Sequence, residues 1–411
     1  MVTIPEQHPF ISGLIGRTLT ASMMCDRYMF YVPAYRMEQD VSRYGCKISR
    51  QTITNVFNKC AHDFFVPVYN RMQKRLAGYR WQQCDETTWR IIKDGRKEGR
   101  KSYFWVHRSS ELDHDNPPII LYQIELTREE EHLEKFFTDQ IINGDIRIYL
   151  NSDAYSAYKM LASLYPEIFT CCFCLTHCRR RFVDALEVLK KSSNGQKLTD
   201  SIEWQIVELF GNIYKEEGKL HDLSAAERLK ARQKKISPLM EKLFITLKEL
   251  KLDDPSAAYS DTFKDAVSYT LNQEKELQAF LQDGTIPIDN NACERSVKNI
   301  AISRKNSLFS YTLTGAQTNG IILTMVRTAV ANEADPYFYL LYLLTYMPEK
   351  VYAGKENENI DQMMPWSKEY KEFEKTEKQK LIDRSAPPSD EKPESPPHSN
   401  KSRKNQETAT A

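Results

Sequence analysis

The sequence predicts an α/β protein in which a mixed sheet carries a helical insertion and is preceded and followed by helical segments. Short β-rich runs alternate with helical patterns in one part of the chain, helical periodicity dominates on both sides of it, and a long amphipathic stretch interrupts it. The predicted divisions are 1–78 (helical, with the outline of a helix-turn-helix), 79–191 with 281–330 (the sheet domain), 192–280 (the helical insertion), 331–375 (helical) and 376–411 (a disordered tail).

The composition is typical of a globular chain. Hydrophobic residues make up 41% and charged residues 27% of the 411 positions, which argues against a fibrous or wholly disordered protein. Lys plus Arg (57) balance Asp plus Glu (56), so a nucleic-acid partner must be bound by a local basic patch. The longest apolar stretch, near Tyr337 to Met347, is well short of the roughly 20 residues that cross a bilayer.

We therefore expect no membrane partner. The N-terminus lacks the basic and apolar regions of a secretory signal, which makes a cytoplasmic, reducing environment the expectation. In that environment the nine cysteines are interpreted mostly as buried thiols and not as a disulfide framework.

The first 78 residues show helical periodicity in three stretches, Thr18–Tyr31, Arg36–Tyr44 and Ser49–Arg75. Gly45 marks a turn before the third stretch, and Ser49 is a suitable N-cap for it. This is the outline of a helix-turn-helix, with two packed helices that do not read DNA as the commoner alternative.

From Trp81 the pattern changes to strands. Thr87–Ile92 and Ser102–His107 are β-rich runs joined by a polar, glycine-punctuated segment, which predicts a hairpin. The elements predicted to follow are a strand at Ile119–Ile124, a helix from near Arg128 to before Gly144, a strand at Ile146–Leu150, a helix at Tyr155–Tyr165, a strand at Phe169–Cys174 and a helix at His177–Lys190. That element order is typical of an RNase H-like mixed sheet.

Three carboxylates occupy informative places in this pattern. Asp85 lies at the predicted start of the first strand, and Asp153 follows the fourth strand directly. Those two strands are neighbours in a sheet of this type, so both side chains are expected to converge. Glu294 falls in the first turns of a helix capped by Asp289 or Asn290 and is expected to face the pair. A solvated or capping carboxylate is the usual role of any one of them taken singly.

Several ordered motifs carry a resemblance to a known family. They are Asp-Glu-Thr at 85–87, Ser-Asp-Ala-Tyr at 152–155, Cys-Leu-Thr-His-Cys-Arg-Arg-Arg-Phe at 174–182, Asp-Asn-Asn-x-x-Glu-Arg at 289–295 and Arg-Lys-Asn-x-Leu-Phe at 304–309. Together they resemble the transposases of the insertion sequence 66 family, over about residues 14–348. The resemblance implies a DNA transposase that cleaves the ends of its element and joins them to target DNA.

By this resemblance, Asp85, Asp153 and Glu294 match the acidic triad of a DDE transposase and would bind the metal. Cutting a phosphodiester requires hard divalent cations that prefer carboxylate oxygens, so Mg²⁺ or Mn²⁺ is expected. Two such ions about 3.5–4 Å apart can activate the nucleophile and stabilise the leaving oxygen. The implied partners are DNA, a second copy of the chain on that DNA, and accessory proteins encoded by the same element. The expected location is the bacterial cytoplasm, with association to the nucleoid through DNA.

Further residues of these motifs are candidates for DNA binding. Arginine and lysine side chains near the triad would bind phosphates without reading bases, with surface salt bridges as the alternative. His177 is a candidate for contact with the scissile phosphate, and the two asparagines for hydrogen bonds around the helix start, with structural roles as the alternatives. The candidates are His177, Arg180, Arg181, Asn290, Asn291, Arg295, Arg304 and Lys305.

A zinc site is disfavoured at the cysteine-rich segment 171–178. Three of its cysteines lie on a predicted buried strand, where alternate side chains point to opposite faces, and no second ligand pair is evident in the sequence.

The sequence also departs from the family pattern. Full-length relatives usually carry an additional N-terminal region, whereas this sequence starts almost at the stretch that precedes the catalytic core. Ser307 occupies a position where a tryptophan is usual. Two alternatives to a transposase follow: a catalytically silent DNA-binding remnant or truncated copy, and an RNase H-like nuclease that cleaves without joining. The intact triad favours an enzyme.

Overall fold

The fold is built on a mixed sheet between helical layers. The computed structural model describes residues 15–97, 99–193, 198–252 and 259–385. Its strands are β1 (Trp81–Trp89), β2 (Ile91–Lys93), β3 (Ser102–Ser109), β4 (Ile120–Glu125), β5 (Ile148–Ser152), β6 (Phe169–Phe173) and β7 (Ser310–Thr312). Five of them form one sheet of order β4-β3-β1-β5-β6, in which β3 is antiparallel to β1 and β4, while β5 is parallel to β1 and β6.

Helices precede the sheet, alternate with its last strands and follow it. Those up to β6 are α1 (Arg17–Tyr28), α2 (Ala34–Arg43), α3 (Arg50–Lys59), α4 (Val66–Ala77), α5 (Glu131–Phe136), α6 (Thr138–Asn143) and α7 (Ser156–Leu164). Those after β6 are α8 (Leu175–Ser192), α9 (Ile202–Glu217), α10 (Ala225–Ala231), α11 (Ser237–Glu249), α12 (Asp261–Leu271), α13 (Glu274–Leu277), α14 (Asn291–Ser307), α15 (Leu313–Ala331), α16 (Pro336–Tyr352) and α17 (Lys368–Ser385).

The first strand differs from its prediction. The sequence predicted Thr87–Ile92, whereas β1 runs from Trp81 to Trp89 and Asp85 lies in its middle. The chain leaves the sheet at Arg90, and the next residues form β2, which pairs in parallel with β7. The predicted β-rich run is therefore divided between two sheets. Its second part, β2, pairs with β7, which lies more than 200 residues later in the sequence.

The predicted turn before the third helix is present. Gly45 has a φ of +80°, a left-handed conformation that glycine adopts without the steric cost of a Cβ. Ser49 caps α3, because its hydroxyl accepts a hydrogen bond from the Thr52 N–H at 3.1 Å. The buried face of α3 contains Ile53, Val56 and Phe57. A DNA-reading role for this pair of helices stays a prediction.

The end of the chain is more helical than predicted. Helix α17 continues to Ser385, so residues 376–385 are helical where a disordered tail was expected. Pairs one turn apart support it: Lys378 binds Glu374 and Lys380 binds Glu377, each at 2.7 Å. A polar helix of this kind lacks the apolar period on which the prediction relied. The remainder of the predicted tail, 386–411, lies outside the described residues.

All nine cysteines are free, and seven of them are buried. In the described parts of the chain, no helix has both the length and the apolar character required to cross a bilayer.

The outer edge of the sheet is closed by side chains of α15. Strand β4 presents unpaired backbone groups on the side away from β3, and such an edge normally invites pairing with another chain. Here the N–H groups of Ile120 and Tyr122 donate to the hydroxyls of Thr328 and Thr324, at 3.1 and 2.9 Å. The Tyr122 carbonyl accepts a hydrogen bond from the Tyr69 hydroxyl at 3.1 Å. The helix thereby replaces the next strand.

We expect Thr324→Val to lower the free energy of unfolding by about 1–3 kcal/mol, because it leaves the buried Tyr122 N–H without an acceptor while preserving side-chain shape. Urea unfolding measures the loss. Thr324→Ser keeps the hydroxyl and should retain most of the stability. Thr345→Val is the matched control, since the Thr345 hydroxyl donates to Leu341 within its own helix. Equal losses for the two valine variants would contradict the role of α15 at the edge.

Candidate acidic site

Two aspartates converge where the parallel strands β1 and β5 run side by side. Asp85 lies in β1 opposite Val106 of β3, and its Oδ1 accepts a hydrogen bond from the Glu86 N–H at 2.8 Å. Asp153 follows β5 directly, and its Oδ1 accepts from the Tyr155 N–H at 3.0 Å. The expected adjacency of the two strands is confirmed.

Glu294 lies in the first turn of α14, the helix that packs on β1 and β3. The N-terminus of α14 is fixed by Asn290, which is fully buried. The Asn290 side chain donates to the Cys84 carbonyl of β1 at 2.8 Å, and its backbone N–H donates to the Cys174 Sγ at 3.2 Å. One asparagine thus joins α14 to β1, one residue before Asp85, and to the residue between β6 and α8.

The predicted cap of α14 is supplied by Asp289. Its Oδ1 accepts from the Asn291 N–H at 3.0 Å, and its Oδ2 accepts from the Asn291 side-chain amide at 2.7 Å. Asn290 occupies the N-cap position without a side-chain capping bond. Arg108 adds a further contact, from its Nη1 to the Ala292 carbonyl at 2.8 Å. In this structure both candidate asparagines therefore position the helix.

Burial and neighbouring negative charge act together on Asp85. Burial, followed by repulsion from Glu86, Asp153 and, more weakly, Glu294, raises the pKa of Asp85 to about 8. The influence of Asp153 and Glu294 on this group places all three carboxylates in one electrostatic neighbourhood. The three carboxylates nevertheless do not form a compact ligand set. Among the described residues, the oxygens of these three side chains are not grouped within 4.8 Å of one another.

A fourth carboxylate and an arginine accompany the site. The Glu86 side chain is 1% exposed, accepts a hydrogen bond from the Tyr158 hydroxyl at 2.7 Å, and is paired with Arg128. Arg128 also has its Nη2 4.0 Å from the Asp153 Oδ2 and lies over the Tyr155 ring at 3.7 Å. Sequence reasoning quoted Glu86 within a motif but gave it no role. No sequence pattern indicated a role for Arg128, because its contacts with Glu86 and Asp153 exist only in the folded chain.

A second donor group overlaps the acidic site. Cys174, His177 and Glu294 each place one ligand-type atom within 4.8 Å of the others. The His177 Nε2 lies 3.6 Å from the Glu294 Oε1. Burial raises the pKa of the Cys174 thiol to about 11, against the opposing effect of backbone N–H groups that donate to its sulfur.

The candidate cationic residues differ in the contacts that their side chains already make within the protein. Arg295 forms an ion pair with Glu111 at 2.9 Å, and Arg181 lies over the Tyr269 ring at 3.9 Å. Arg304 donates from its Nη1 to the carbonyl and hydroxyl of Thr88, both at 2.7 Å. Arg180 and Lys305 are exposed. The structure does not bring these five residues into one cluster with the carboxylates.

Ser307, at the position where a tryptophan was noted as usual, links two helices. Its hydroxyl accepts a hydrogen bond from the Arg27 Nη1 at 2.5 Å, which joins the end of α14 to α1.

A recess rich in basic side chains opens beside Arg304. We call it the basic recess; its cationic lining residues are Arg90, Arg96, Lys97, Arg100, Lys101 and Arg304. Arg96 is held in place by Asp94 at 2.6 Å, while Arg100 and Lys101 are exposed. Ten residues of α14 separate Arg304 from Glu294, which corresponds to about 15 Å along the helix. The run of basic residues after β2 was the signal in the sequence for this surface.

The fold and site define an α/β protein with a half-buried cluster of carboxylates at the junction of two parallel strands and a helix. The chain belongs to the transposase IS66 family, whose model matches residues 12–318. This confirms the resemblance inferred from the motifs.

Relatives extend over most of the chain. It is 28% identical over 372 residues to the uncharacterized protein y4jD and 28% identical over 367 residues to the uncharacterized protein y4qI, both from Sinorhizobium fredii (strain NBRC 101917 / NGR234). A third, y4hP from the same strain, is 24% identical over 366 residues. These alignments cover 88%, 88% and 87% of this chain but 68%, 64% and 63% of the relatives, so the chain spans about two thirds of their length.

The raised pKa of Asp85 predicts a pH-dependent stability in the absence of divalent cations. Between pH 3.8, the ordinary pKa of an aspartate, and about pH 8, Asp85 is ionised in the unfolded chain but still protonated in the folded chain. Rising pH therefore favours the unfolded state over this interval, on the order of 1 kcal/mol per pH unit at most.

We expect Asp85→Asn to remove this dependence and to be more stable than wild type near pH 8, with the difference shrinking toward pH 4. Urea unfolding in chelator at several pH values provides the measurement. Asp200→Asn, at an exposed position, should follow the wild-type profile. A wild-type profile shared by Asp85→Asn would show that Asp85 is not the group responsible.

Proposed function

We propose that this chain is a DDE-type DNA transposase, and that Asp85, Asp153 and Glu294 bind the divalent cations of its active site. The observation that carries this proposal is the placement of the three carboxylates around the junction of β1, β5 and α14, where burial and then repulsion from neighbouring carboxylates raise the pKa of Asp85 to about 8. A cation among these groups would relieve the repulsion and restore the ionised form.

The donor set fits Mg²⁺ or Mn²⁺. Carboxylate oxygens are the ligands that these hard cations prefer, and the Glu294 Oε1 is shielded from solvent without a hydrogen-bond partner among the described residues. When bound, the cations would supply activation of a water or a DNA 3′-hydroxyl and neutralisation of charge on the leaving oxygen. Arg128 would hold Asp153 in place and keep the neighbouring Glu86 paired.

We further propose that the sheet domain is RNase H-like. Three antiparallel strands lead into two parallel ones, and the site residues come from the central strand, its parallel neighbour and a later helix. The predicted division of the chain into a sheet domain (79–191 with 281–330) and a helical insertion (192–280) belongs to this proposal. DNA ends and target DNA are the proposed partners, with synapsis by at least two copies of the chain, accessory proteins of the same element, and a cytoplasmic location.

DNA would be bound along α14. The acidic site lies at its N-terminus and the basic recess at its C-terminal end, so one segment of duplex of about 15 Å would contact both. His177, Arg180, Arg181 and Arg295 would add phosphate contacts near the acidic end, and Lys305 would add one near the basic recess. Such contacts position DNA without reading its sequence.

Cleavage and joining of labelled DNA carrying the element's own ends test the proposed activity. With Mg²⁺ or Mn²⁺, wild type should nick and join, whereas Asp153→Asn and Glu294→Gln should bind DNA but react at least about a hundredfold more slowly, because ligands of the cations are lost. Asp200→Asn should behave as wild type.

Three other outcomes are distinguishable. Triad variants as active as wild type would overturn the site assignment. Binding by all variants with no reaction by wild type would indicate a catalytically silent remnant or truncated copy. Cleavage without joining would indicate a nuclease of another purpose.

The basic recess predicts a specific salt dependence of DNA binding. Replacing Arg100 and Lys101 together by alanine should make the slope of log affinity against log salt less negative by about 2, since each phosphate contact contributes about 0.9. Equilibrium binding from low to moderate salt measures this slope. Lys371→Ala with Lys375→Ala removes the same charge from exposed positions of α17 and should leave the slope unchanged. Equal effects of the two pairs would exclude the recess as the DNA surface.

A further inference from the structure

The donor group formed by Cys174, His177 and Glu294 combines three different ligand types. Cys174 immediately precedes α8 and His177 lies in its first turn, so their spacing of three residues puts both on one side of the helix start. Glu294 approaches from α14. Among the described residues, no other group of three or more His, Cys, Asp or Glu brings its ligand atoms within 4.8 Å of one another.

Two atoms of this group lack hydrogen-bond partners. Within the described parts of the chain, neither the Glu294 Oε1 nor the His177 Nδ1 has one, and both atoms are shielded from solvent. The His177 Nε2 lies 3.6 Å from the Glu294 Oε1, which is beyond a hydrogen bond. Shielding a carboxylate oxygen without a hydrogen-bond donor is costly, and a cation bound between this oxygen and the His177 imidazole would offset that cost.

The spacing suits a shared metal ion. Tetrahedral ligands at zinc distances of about 2.0–2.3 Å lie roughly 3.4–3.6 Å apart, close to the separation of the histidine nitrogen and the carboxylate oxygen. Small side-chain adjustments would bring the remaining pairs, now within 4.8 Å, to the same spacing. The His177 and Glu294 side chains are 29% and 24% exposed, which leaves a path for an ion.

We propose that Cys174, His177 and Glu294 form a site for Zn²⁺, with three protein ligands and one open coordination position. A sulfur, an imidazole nitrogen and a carboxylate oxygen are the ligands of a borderline-soft ion, whereas Mg²⁺ is a hard cation that prefers oxygen. The site is separate from the Asp85 and Asp153 carboxylates but shares Glu294 with them.

Cys171 and Cys178 of the same segment make other contacts. The Cys171 Sγ donates to the Tyr158 carbonyl at 3.2 Å, and the Cys178 Sγ contacts the Thr270 hydroxyl at 2.9 Å. The sequence analysis disfavoured zinc throughout 171–178, and the present proposal departs from that expectation at Cys174 and His177. The ligand that completes the Cys174 and His177 pair comes from a helix that begins more than 100 residues later.

Sharing of Glu294 has a functional consequence. A Zn²⁺ ion held by Cys174 and His177 would withdraw Glu294 from the acidic cluster and lower Mg²⁺-dependent activity. This consequence rests on the proposed transposase function, whereas binding itself can be tested without any activity.

Titration of the metal-free full-length chain with Co²⁺ tests the site. Co²⁺ replaces Zn²⁺ in such sites, and a thiolate ligand gives a near-ultraviolet charge-transfer band that oxygen ligands do not give. We expect one equivalent to produce this band and Zn²⁺ to abolish it. Cys174→Ser should remove the band, and His177→Asn and Glu294→Gln should weaken Co²⁺ binding by at least about tenfold.

The controls separate this proposal from the preceding one. Cys171→Ser, Cys46→Ser, Asp85→Asn and Asp153→Asn should all keep the band, because none of these residues belongs to the group. Circular dichroism of each variant identifies any that fails to fold, and His177, being partly exposed, provides a variant with little cost to packing. A band that persists in Cys174→Ser, or no stoichiometric band in wild type, would overturn the zinc site. Neither result would alter the expected Mg²⁺-dependent cleavage.

Discussion

Burial of carboxylates beside one another is the constraint on which the site depends. Burial and then repulsion from Glu86, Asp153 and Glu294 act on Asp85, and burial and then repulsion from Asp153 act on Glu86. Arg128 neutralises the side of the cluster that contains Glu86, while Asp85 is left protonated near neutral pH because of burial and its neighbours. Hydrogen bonds from neighbouring elements hold these groups together.

The packing around the cluster contains those hydrogen bonds. Asn290 connects three elements by two hydrogen bonds, and Gln83 adds a third from its side-chain amide to the Asp289 carbonyl at 3.2 Å. These polar contacts are buried, where a hydrogen bond constrains geometry more strongly than at a surface. The β4 edge of the sheet is closed by the threonines of α15. The central strand β1 and the β4 edge are therefore both bound by side chains from the part of the chain after residue 280.

Much of this arrangement was predictable, and the failures have physical causes. The order of most elements along the chain followed from local patterns, and the typical arrangement of such an element order placed the strand of Asp85 beside the strand that precedes Asp153. Local patterns did not predict that the run containing Trp89 and Ile91 is divided between two sheets, because β2 forms by pairing with the distant strand β7. Arg128 likewise has no role until folding brings it to Glu86. Long-range partners set these features, and a single sequence does not encode them in its spacing.

Glu294 belongs to both of the proposed metal sites. Its carboxylate lies between a set of hard oxygen donors on the sheet and a thiol and imidazole at the start of α8. Because the proposed zinc site and the proposed carboxylate site lie on different sides of Glu294, the orientation of its side chain would depend on which cation is bound. In this structure its Oε1 lies near His177 and has no hydrogen-bond partner among the described residues. A rotation toward Asp85 would then accompany assembly of the carboxylate site, so that binding of oxygen-preferring and sulfur-binding cations is expected to be antagonistic.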